Sequence, residues 1–458
     1  MERNYVTVDV TIGKLLDEKK YKTLKDILST MNAFDIAMLL EDMHDSKIQL
    51  LFRMLPKELA AGVFVEMDED TQEFLIKGFS DNELKEVVGE LSADDAVDII
   101  EEMPANVVKR ILRQADPETR KQINELLKYP DDCAGSIMTT EFVSLRPNMT
   151  VEEAIKRIRR TGVDKETIYT CYVVANDGKL IGITTIKALL LAEEEETIES
   201  LMETNVISVG TLDDQEFVAQ TINNYDFLAL PVVDTEGRLV GIVTVDDAVD
   251  VMVEETTEDI QKMAAIGSTD KPYNKVSVFE TIWQRVPWLL LLMISSTFTG
   301  IIIAGYEEKL AGSLILTAFI PMLMGTGGNA GSQSSVTIIR SLSLDEIEFK
   351  DLLWVIFKES RVSILSGIIL GAVNFGKILL VDGWMLQNPE INVSISLVVS
   401  LTLVITVIVA KVIGCSLPMI AKKLHMDPAV MASPFITTIV DVVSLLVYFW
   451  IASAILPI

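Results

Sequence analysis

Long apolar segments are confined to the last part of this 458-residue chain, and they constrain its fold more than any other feature. Five such segments lie near Trp283–Ala304, Leu314–Ile339, Val362–Leu380, Ser394–Ile420 and Ala429–Leu456. Each approaches or exceeds the roughly 20 residues that an α-helix needs to cross a bilayer. The sequence therefore predicts a transmembrane domain of five helices over residues 276–458.

The remainder of the chain is acidic. The protein has 67 acidic and 39 basic residues, a formal net charge of −28, and most of its carboxylates lie in residues 1–270. This balance argues against a nucleic-acid partner, because binding to phosphates requires clustered lysine and arginine. The polar amino terminus has no signal-peptide pattern, so we expect the soluble region to stay in the cytoplasm.

Basic residues in the membrane domain predict its orientation. They concentrate in the loops after the second and fourth spans, where the sequence has Arg340, Lys350, Lys358, Arg361, Lys422 and Lys423. The positive-inside rule then places the amino terminus inside the cell and the carboxyl terminus outside. We therefore expect a multi-pass protein of the cell membrane.

Residues 1–130 have the pattern of short helices. Three similar segments, Ala37–Met43, Ala61–Met67 and Ala96–Met103, place apolar residues at helical spacing and contain acidic residues near their ends. Prolines stand at plausible helix starts, where a missing N–H is tolerated: Pro56, Pro104 and Pro117. The pattern is typical of an all-α stack of helical hairpins whose handedness stays open.

Residues 131–252 contain a clearer repeat. The segment Tyr172–Thr185 matches Pro231–Thr244, and each contains an apolar run, a glycine turn and a second apolar run. Gly178 and Gly237 suit the positive φ of a hairpin turn. This α/β pattern resembles a tandem pair of CBS (cystathionine β-synthase) domains, which usually form one regulatory module and often dimerise. A charged helix beginning at Val253 and a loop, together residues 253–275, would link this module to the membrane.

One carboxylate, that of Asp441, lies in the middle of the fifth span. A charge at that depth costs about 2.5–3.5 kcal/mol on insertion scales, so it must face water, a partner or an ion. Asp441 is either a protonated group hydrogen-bonded between helices or an ion site in a pore. We favour the ion site, because Lys411 and Lys377 lie nearer the ends of their spans and are not placed to pair with it.

The second span is rich in glycine between Pro321 and Ser334. Such a stretch either lets helices pack closely or permits irregular backbone whose carbonyls line a water-filled cavity. We favour the second alternative, which predicts a break in the helix close to Asp441. The oxygens that the break would offer are those of Gly325, Gly327, Gly328 and Asn329.

These features together resemble the MgtE family of magnesium channels or transporters. The similarity covers essentially the whole chain and includes Gly325-Thr-Gly-Gly-Asn329, Gln333 and Asp441 after Ser433-Pro434. It implies a homodimer in the lipid bilayer in which Asp441 of each chain binds Mg²⁺ in one pore. The pore-lining positions it implies are Pro321, Gly325, Gly328, Asn329 and Ser433. Ser433 departs from the asparagine expected there, although a hydroxyl can still hold a hydrated ion.

The resemblance also implies regulatory Mg²⁺ sites between the soluble elements, where a plain solvated acidic face is the alternative. The matching positions are Asp94, Asp98, Asp214, Glu216, Asp226, Asp247, Asp250, Glu255, Glu258 and Asp259. Like charges would push the domains apart until Mg²⁺ bridges them and the linker helix closes the pore, as a plug.

The segment Gly241–Asp247 is similar to the phosphate- and ribose-contacting stretch of nucleotide-binding CBS domains. Thr244 and Asp247 are therefore candidate contacts for ATP. A purely structural turn between strand and helix is the alternative.

The predicted function is Mg²⁺ import that is closed by cytoplasmic Mg²⁺. A secondary transporter of another divalent cation, such as Mn²⁺ or Co²⁺, would instead use Asp441 as a proton-coupled carrier site. A membrane-anchored sensor without transport is disfavoured, because an anchor has no use for an intramembrane carboxylate. We do not expect an enzyme, because the sequence has neither a nucleophile–base pair nor a Walker-type phosphate loop.

Overall fold

A computed structural model describes residues 2–41, 43–269, 271, 273, 276–306, 314–431 and 433–456. The chain divides into two compact units, Met1–Met252 and Val253–Ile458. The first unit combines short helices with two small sheets, and the second is helical.

The first part of the first unit is a succession of short helices. They are α1 Glu2–Asp17, α2 Tyr21–Leu28, α3 Ala33–Glu41, α4 Asp45–Phe52, α5 Lys57–Val65, α6 Glu69–Gly78, α7 Asp81–Val88, α8 Ala93–Glu102, α9 Ala105–Gln114 and α10 Pro117–Leu126. The prolines stand where the sequence predicted helix starts, since Pro56 and Pro104 immediately precede α5 and α9 and Pro117 begins α10. The apolar faces of these helices form one continuous core.

Helix α8 shows how the acidic residues are positioned. Its buried face consists of Ala93, Ala96, Val97, Ile99 and Ile100. Because these apolar residues turn into the core, the remaining positions of the helix present carboxylates on the opposite face. Ser92 caps the helix by accepting a hydrogen bond from the Asp95 N–H.

The second part of the first unit contains two similar three-stranded sheets. Their strands are β1 Ser144–Leu145, β2 Thr170–Val174, β3 Leu180–Thr185, β4 Val209–Gly210, β5 Ala229–Val233 and β6 Leu239–Thr244. Each sheet has one parallel and one antiparallel pair. The associated helices are α11 Val151–Thr161, α12 Ile186–Leu191, α13 Ile198–Leu201 and α14 Gln215–Tyr225.

The two hairpin turns confirm the predicted repeat. Gly178 and Gly237 have φ values of +88° and +78°, which a side chain would disfavour. Each turn also bonds the other hairpin, because Leu180 N–H donates to Gly237 O and Leu239 N–H donates to Gly178 O. The repeats therefore meet in a reciprocal, pseudo-symmetric contact.

Helix α15 spans Val245–Met263 and follows β6 directly. The linker helix was predicted to begin at Val253, so it starts earlier than expected and includes the acidic residues after Thr244. Of the predicted linker loop, Asp270, Pro272, Asn274 and Lys275 lie outside the described residues.

The second unit has five described helices that are long and apolar enough to cross a membrane, as predicted. With their short helical extensions they cover Val278–Gly305, Leu314–Ser343, Phe349–Met385, Val393–Lys423 and Pro428–Ile455. The regular helices are α16 Val278–Gly305, α17 Ile320–Ser343, α18 Leu352–Lys377, α19 Val393–Lys423 and α20 Ser433–Ile455. The predicted fold class is confirmed.

The predicted break in the second span is wrong, because α17 runs without interruption through its glycines. A Cβ on Gly327 would stand 2.6 Å from Thr406 Cγ2, and one on Gly331 would stand 2.8 Å from Ile436 Cγ2. Gly414 of α19 lies against the Gly331 backbone. Gly327, Gly328 and Gly331 therefore form a close packing face between α17, α19 and α20, which was the disfavoured alternative, whereas Gly325 is exposed.

Candidate functional site

Helix α17 has one polar, exposed face in the middle of the membrane unit. Pro321, Gly325 and Asn329 follow each other at intervals of four residues and are exposed, and Gln333 continues the row. This spacing places them on a single helical face. Gly328 instead packs against Thr437, where a Cβ would stand 2.9 Å from its Cγ2. Gly328 therefore does not share the exposed face that the pore-lining prediction requires.

Asp441 is half-buried in the middle of α20. Its neighbours Val440 and Ser444 lie about 3 Å from the position of a Cβ on Gly327. The carboxylate is thus level with the glycine-rich stretch of α17, as the sequence suggested. Ser433 is the first residue of the same helix, and its side chain lies outside the described part of the chain.

The carboxylate of Asp441 makes no hydrogen bond or ion pair within the described ranges. A protonated Asp441 held between helices would need a donor or acceptor that these residues do not supply. Because an ionisable group at membrane depth needs water, an ion or a second chain, Asp441 is a candidate ion ligand.

Sequence reasoning missed a second buried charge in the membrane unit. Lys411 is 9% exposed, and its Nζ lies 4.0 Å from Glu359 Oε2, while Ser334 Oγ donates to the same oxygen at 2.6 Å. Helix α19 runs on to Lys423, so Lys411 lies well inside its span rather than near the end. A carboxylate and an ammonium on two neighbouring apolar spans were the signal for this pair.

In the first unit, carboxylates of α8 and α15 face one another. Burial, then Asp94, Asp95 and Asp247, raise the pKa of Asp98 to about 8, although the residue keeps access to solvent, which weakens the effect. Burial raises the pKa of Asp247 to about 7, with Asp94 and Asp246 adding to the shift. The structure therefore brings together three of the predicted metal ligands.

Asp94 has the least accessible carboxylate of this group. Its Oδ1 is buried and accepts no hydrogen bond from the described residues. Burial, then Asp95, raises the pKa of the carboxyl, although hydrogen bonds from Ser92 and Thr139 oppose the shift. A buried acceptor without a donor is expensive unless something satisfies it. A hard cation with oxygen ligands would do so.

Two residues that the sequence did not single out belong to the same region. Burial, then Asp94 and Asp246, raise the pKa of Glu166 to about 7. Burial, then Asp250, raise the pKa of Glu66. Only tertiary packing brings these residues together. We define the acidic cluster by its members Glu66, Asp94, Asp95, Asp98, Glu166, Asp246, Asp247 and Asp250.

The acidic cluster is not a ready-made metal centre. Across the described ranges, no three histidine, cysteine, aspartate or glutamate side chains stand close enough together to hold a metal ion. The carboxylates influence one another electrostatically without converging on one point. Like charges at these positions disfavour closer approach unless protons or cations neutralise them.

Of the candidate ligands around α14, Asp226 lies apart from Asp214 and Glu216. Asp214 caps the start of this helix by accepting a hydrogen bond from the Glu216 N–H, whereas Asp226 follows its last residue with φ of +53°. A helix of this length separates its ends by roughly 15 Å. The chain therefore does not bring Asp226 together with Asp214 and Glu216 in one site.

The linker helix carries the remaining candidates into the second unit. Lys262 bonds both Glu258, at 2.6 Å, and Asp427, at 2.7 Å. Asp259 accepts a hydrogen bond from Ser343, and burial, then Asp427, raises its pKa. Glu255 lies one turn earlier on the same helix. Sequence reasoning missed Asp427 and Lys262, which join this helix to the segment before α20.

Thr244 and Asp247, the candidate nucleotide contacts, bond each other. Thr244 Oγ1 donates to Asp247 Oδ2 at 2.5 Å, and Thr244 is buried. The corresponding Thr185 of the first repeat caps α12 through the Ala188 N–H. Thr244 and Asp247 therefore have a structural role at the turn between strand and helix, whether or not they also contact a nucleotide.

The acidic cluster predicts a pH dependence in the absence of divalent cations. Asp98 and Asp247 have folded-state pKa values of about 8 and 7, above the ordinary carboxyl value near 4, so the folded state binds more protons between pH 5 and 8. The stability contributed by the packing of α8 against α15 should therefore fall as the pH rises from 5 to 8. Amide hydrogen exchange of the full chain should show α8 losing protection by about three- to tenfold between pH 6 and 8, after correction for intrinsic rates.

Helix α7 supplies the control within the same molecule. A hydrogen bond from Arg53, then bonds from Ser80, lower the pKa of Glu83 to about 2. The contribution of Glu83 to stability is complete above pH 5 and is lost only as the pH falls toward its folded-state pKa of about 2. Helix α7 should therefore keep constant protection from hydrogen exchange between pH 6 and 8. Equal loss in α7 and α8 would contradict the assignment.

Fold and site together define a membrane protein with five apolar helices, an acidic first unit and a carboxylate within one of the apolar spans. Residues 320–451 match the MgtE family, described as divalent cation transporter, and residues 31–132 match the MgtE intracellular N domain. Residues 134–195 and 198–254 each match the CBS domain. The chain belongs to the MgtE family, as the sequence resemblance predicted.

Full-length relatives support this assignment. The chain is 36% identical over 451 residues to the magnesium transporter MgtE of Thermus thermophilus, with 98% of both chains covered. It is 32% identical over 440 residues to the magnesium transporter MgtE of Bacillus subtilis, with 96% of this chain and 95% of that protein covered. Both relatives extend through the soluble and membrane units.

Two solved structures resemble the soluble part. The cytosolic domain of the Mg²⁺ channel MgtE in complex with ATP is 37% identical, with a TM-score of 0.51, over 53% of this chain and 99% of that one. The soluble part of a magnesium transporter is 31% identical, with a TM-score of 0.51, over 55% and 99%.

Proposed function

We propose that this protein carries Mg²⁺ across the cell membrane into the cytoplasm and closes when Mg²⁺ binds its soluble unit. The observation that carries the proposal is Asp441, a half-buried carboxylate within a membrane span and without a partner among the described residues. Its position level with the exposed polar face of α17 supports a permeation path there. The magnesium transporters that this chain resembles favour Mg²⁺ as the ion.

The chemistry of the site suits a largely hydrated dication. Mg²⁺ dehydrates reluctantly and is usually held by one or two carboxylates plus several waters. Asp441 supplies the carboxylate, and Asn329 and Gln333 on the exposed face of α17 can bond water that accompanies the ion. Such a path needs few direct protein ligands.

A homodimer would complete the path. The row Pro321, Gly325, Asn329 and Gln333 is exposed in the single chain, although polar amides are unfavourable against lipid tails. A second copy that meets this face would enclose the amides and contribute a second Asp441. Two carboxylates around one axis would match the charge of one dication.

The acidic cluster would act as the cation sensor. Burial, and then mutual repulsion, raises the pKa values of Asp98 and Asp247, so the packing of α8 against α15 is weakened at neutral pH. Mg²⁺ would bind the closed arrangement more tightly, drawing the carboxylates together and shifting the population toward it. The linker helix, whose Lys262 bonds Asp427 of the membrane unit, would transmit the change to the pore.

ATP is a further candidate ligand of the CBS pair. The relative's cytosolic domain binds ATP, and Thr244 and Asp247 stand at the turn that contacts nucleotides in similar domains. Asp247 also belongs to the acidic cluster, so occupation by ATP would change the sensor directly.

The test is cation flux in vesicles that contain the full-length protein. We expect Mg²⁺ entry that follows the membrane potential and that stops when Mg²⁺ is raised to millimolar concentrations on the side of the soluble unit. Flux of Mn²⁺ or Co²⁺ driven by a proton gradient would instead support the secondary transporter.

The double variant Asp98→Asn/Asp247→Asn tests the sensor. It removes two carboxylates that a bridging Mg²⁺ would use, so closure should require roughly tenfold more Mg²⁺ while flux at low Mg²⁺ is unchanged. Glu195→Gln, an exposed position outside the acidic cluster, is the matched control. Closure at the same Mg²⁺ concentration in wild type and double variant would refute the sensor but leave transport intact.

A further inference from the structure

Two neighbouring cations near the start of α18 lack a carboxylate partner in the part of the chain that the structure describes. Lys358 and Arg361 make no ion pair within the described residues, although the chain has a net charge of −28. Five described lysines elsewhere in the second unit do pair: Lys262 with Glu258 and Asp427, Lys350 with Glu348, Lys377 with Asp382, Lys411 with Glu359, and Lys422 with Asp345. The charge of Lys358 and Arg361 is therefore available to an anion from outside the chain.

Aromatic rings hold these cations on the outer surface of the helix. Lys358 Nζ lies 5.2 Å from the centre of the Trp354 ring, and Arg361 Cζ lies 5.7 Å from that of Phe357. Trp354 and Phe357 are 58% and 63% exposed. Cation–π contacts of this kind position a charge without neutralising it, so both charges remain directed outward.

The same face of α18 continues as aliphatic surface. Trp354, Lys358, Arg361, Leu365 and Ile368 follow one another at intervals of three and four residues, and the last two are 66% and 55% exposed. The face is thus aromatic and basic near the start of the span and aliphatic further along. A phospholipid has this same order, with a charged headgroup followed by acyl chains.

We propose that this face, defined by Trp354, Phe357, Lys358 and Arg361, binds the headgroup phosphate of an anionic phospholipid. Tryptophan, as at Trp354, prefers the membrane–water interface, and basic side chains there attract anionic lipid. A soluble anionic partner would gain nothing from the exposed aliphatic continuation at Leu365 and Ile368. A protein so rich in acidic residues would otherwise repel an anionic membrane surface.

The experiment is native mass spectrometry of the full-length protein in micelles that contain equal amounts of phosphatidylglycerol and phosphatidylcholine. Wild type should retain phosphatidylglycerol preferentially, because each basic residue near an anionic surface contributes about a fivefold preference. Lys358→Gln/Arg361→Gln should reduce that preference by about tenfold or more. Lys358→Arg should keep it, because the charge stays above the Trp354 ring.

Lys377→Gln, at the other end of α18, is the matched control, since Lys377 is already paired with Asp382. It should bind phosphatidylglycerol like wild type. An unchanged preference in the double variant, or an equal loss in Lys377→Gln, would overturn the proposal. The proposal would also be overturned if the double variant changed its oligomeric state but kept its lipid preference. That result would mean that a second copy of the chain, and not a lipid, covers this face of α18. Equal elution volumes and unfolding temperatures show that the variants are folded.

Discussion

On the proposed function, Asp441→Asn is expected to abolish Mg²⁺ uptake by this protein, lowering it by about a hundredfold or more in a host whose growth depends on that uptake. The substitution changes one atom and keeps the volume of the side chain, but it removes the charge that would hold a dication inside the membrane. Attraction between charges is strong in a medium of low dielectric constant, and an amide dipole replaces little of it. Growth on limiting Mg²⁺ and direct uptake of the ion are the measurements.

Stability separates this loss of transport from misfolding. Asp441 has no ion-pair or hydrogen-bond partner among the described residues, so asparagine breaks no such contact. It also removes a charge whose insertion costs about 2.5–3.5 kcal/mol and leaves a neutral amide, which costs less. The variant should therefore unfold at the same temperature as wild type or higher. Glu390→Gln, an exposed position in the same unit, is the isosteric control and should support full growth. Growth of Asp441→Asn at the wild-type rate would remove Asp441 from the permeation path.

The predictable parts of the fold are those set by local pattern. Five apolar runs suffice to predict the five spans, because bilayer thickness fixes their length. The hairpins around Gly178 and Gly237 follow from a turn that only glycine adopts easily. Both features depend on residues that are adjacent in sequence, and both are confirmed.

The glycines of α17 show why local pattern fails elsewhere. A run of glycine is equally compatible with a broken helix and with close packing, since both need a missing side chain. The deciding contacts come from Thr406 on α19 and Thr437 on α20, far along the chain. Sequence spacing around Gly327 could not reveal these partners.

The acidic cluster was predictable only in part. Asp94, Asp98 and Asp247 stood out as members of acidic runs, but Glu166 and Glu66 stand in ordinary contexts and join the cluster through tertiary packing. A raised pKa results from burial and from neighbouring charge, neither of which is written in the local sequence. The same limitation hid Lys411 and its partner.

Substitutions in the Glu359–Lys411 pair should have a large effect on the stability of the membrane unit. Each single substitution, Glu359→Gln or Lys411→Met, should destabilise the membrane unit by roughly 3–5 kcal/mol, because it leaves one charge nearly buried without its partner. The double variant Glu359→Gln/Lys411→Met should recover most of that loss, since a buried pair is often replaceable by neutral groups of similar size. Thermal or denaturant unfolding of the detergent-solubilised full chain measures all three.

An exposed ion pair at the end of α18 provides a comparison for the buried pair. Lys377 and Asp382 form an ion pair at 2.7 Å, but with 45% and 20% of their side chains exposed. Lys377→Gln should therefore change stability by no more than about 1 kcal/mol. If burial determines the cost of an unpaired charge, the losses in the free energy of unfolding of the two single variants will not add up in the double variant. If the two losses do add up, the charges of Glu359 and Lys411 act independently. In that case Ser334, which bonds Glu359 at 2.6 Å, would be the contact that joins α17 to α18.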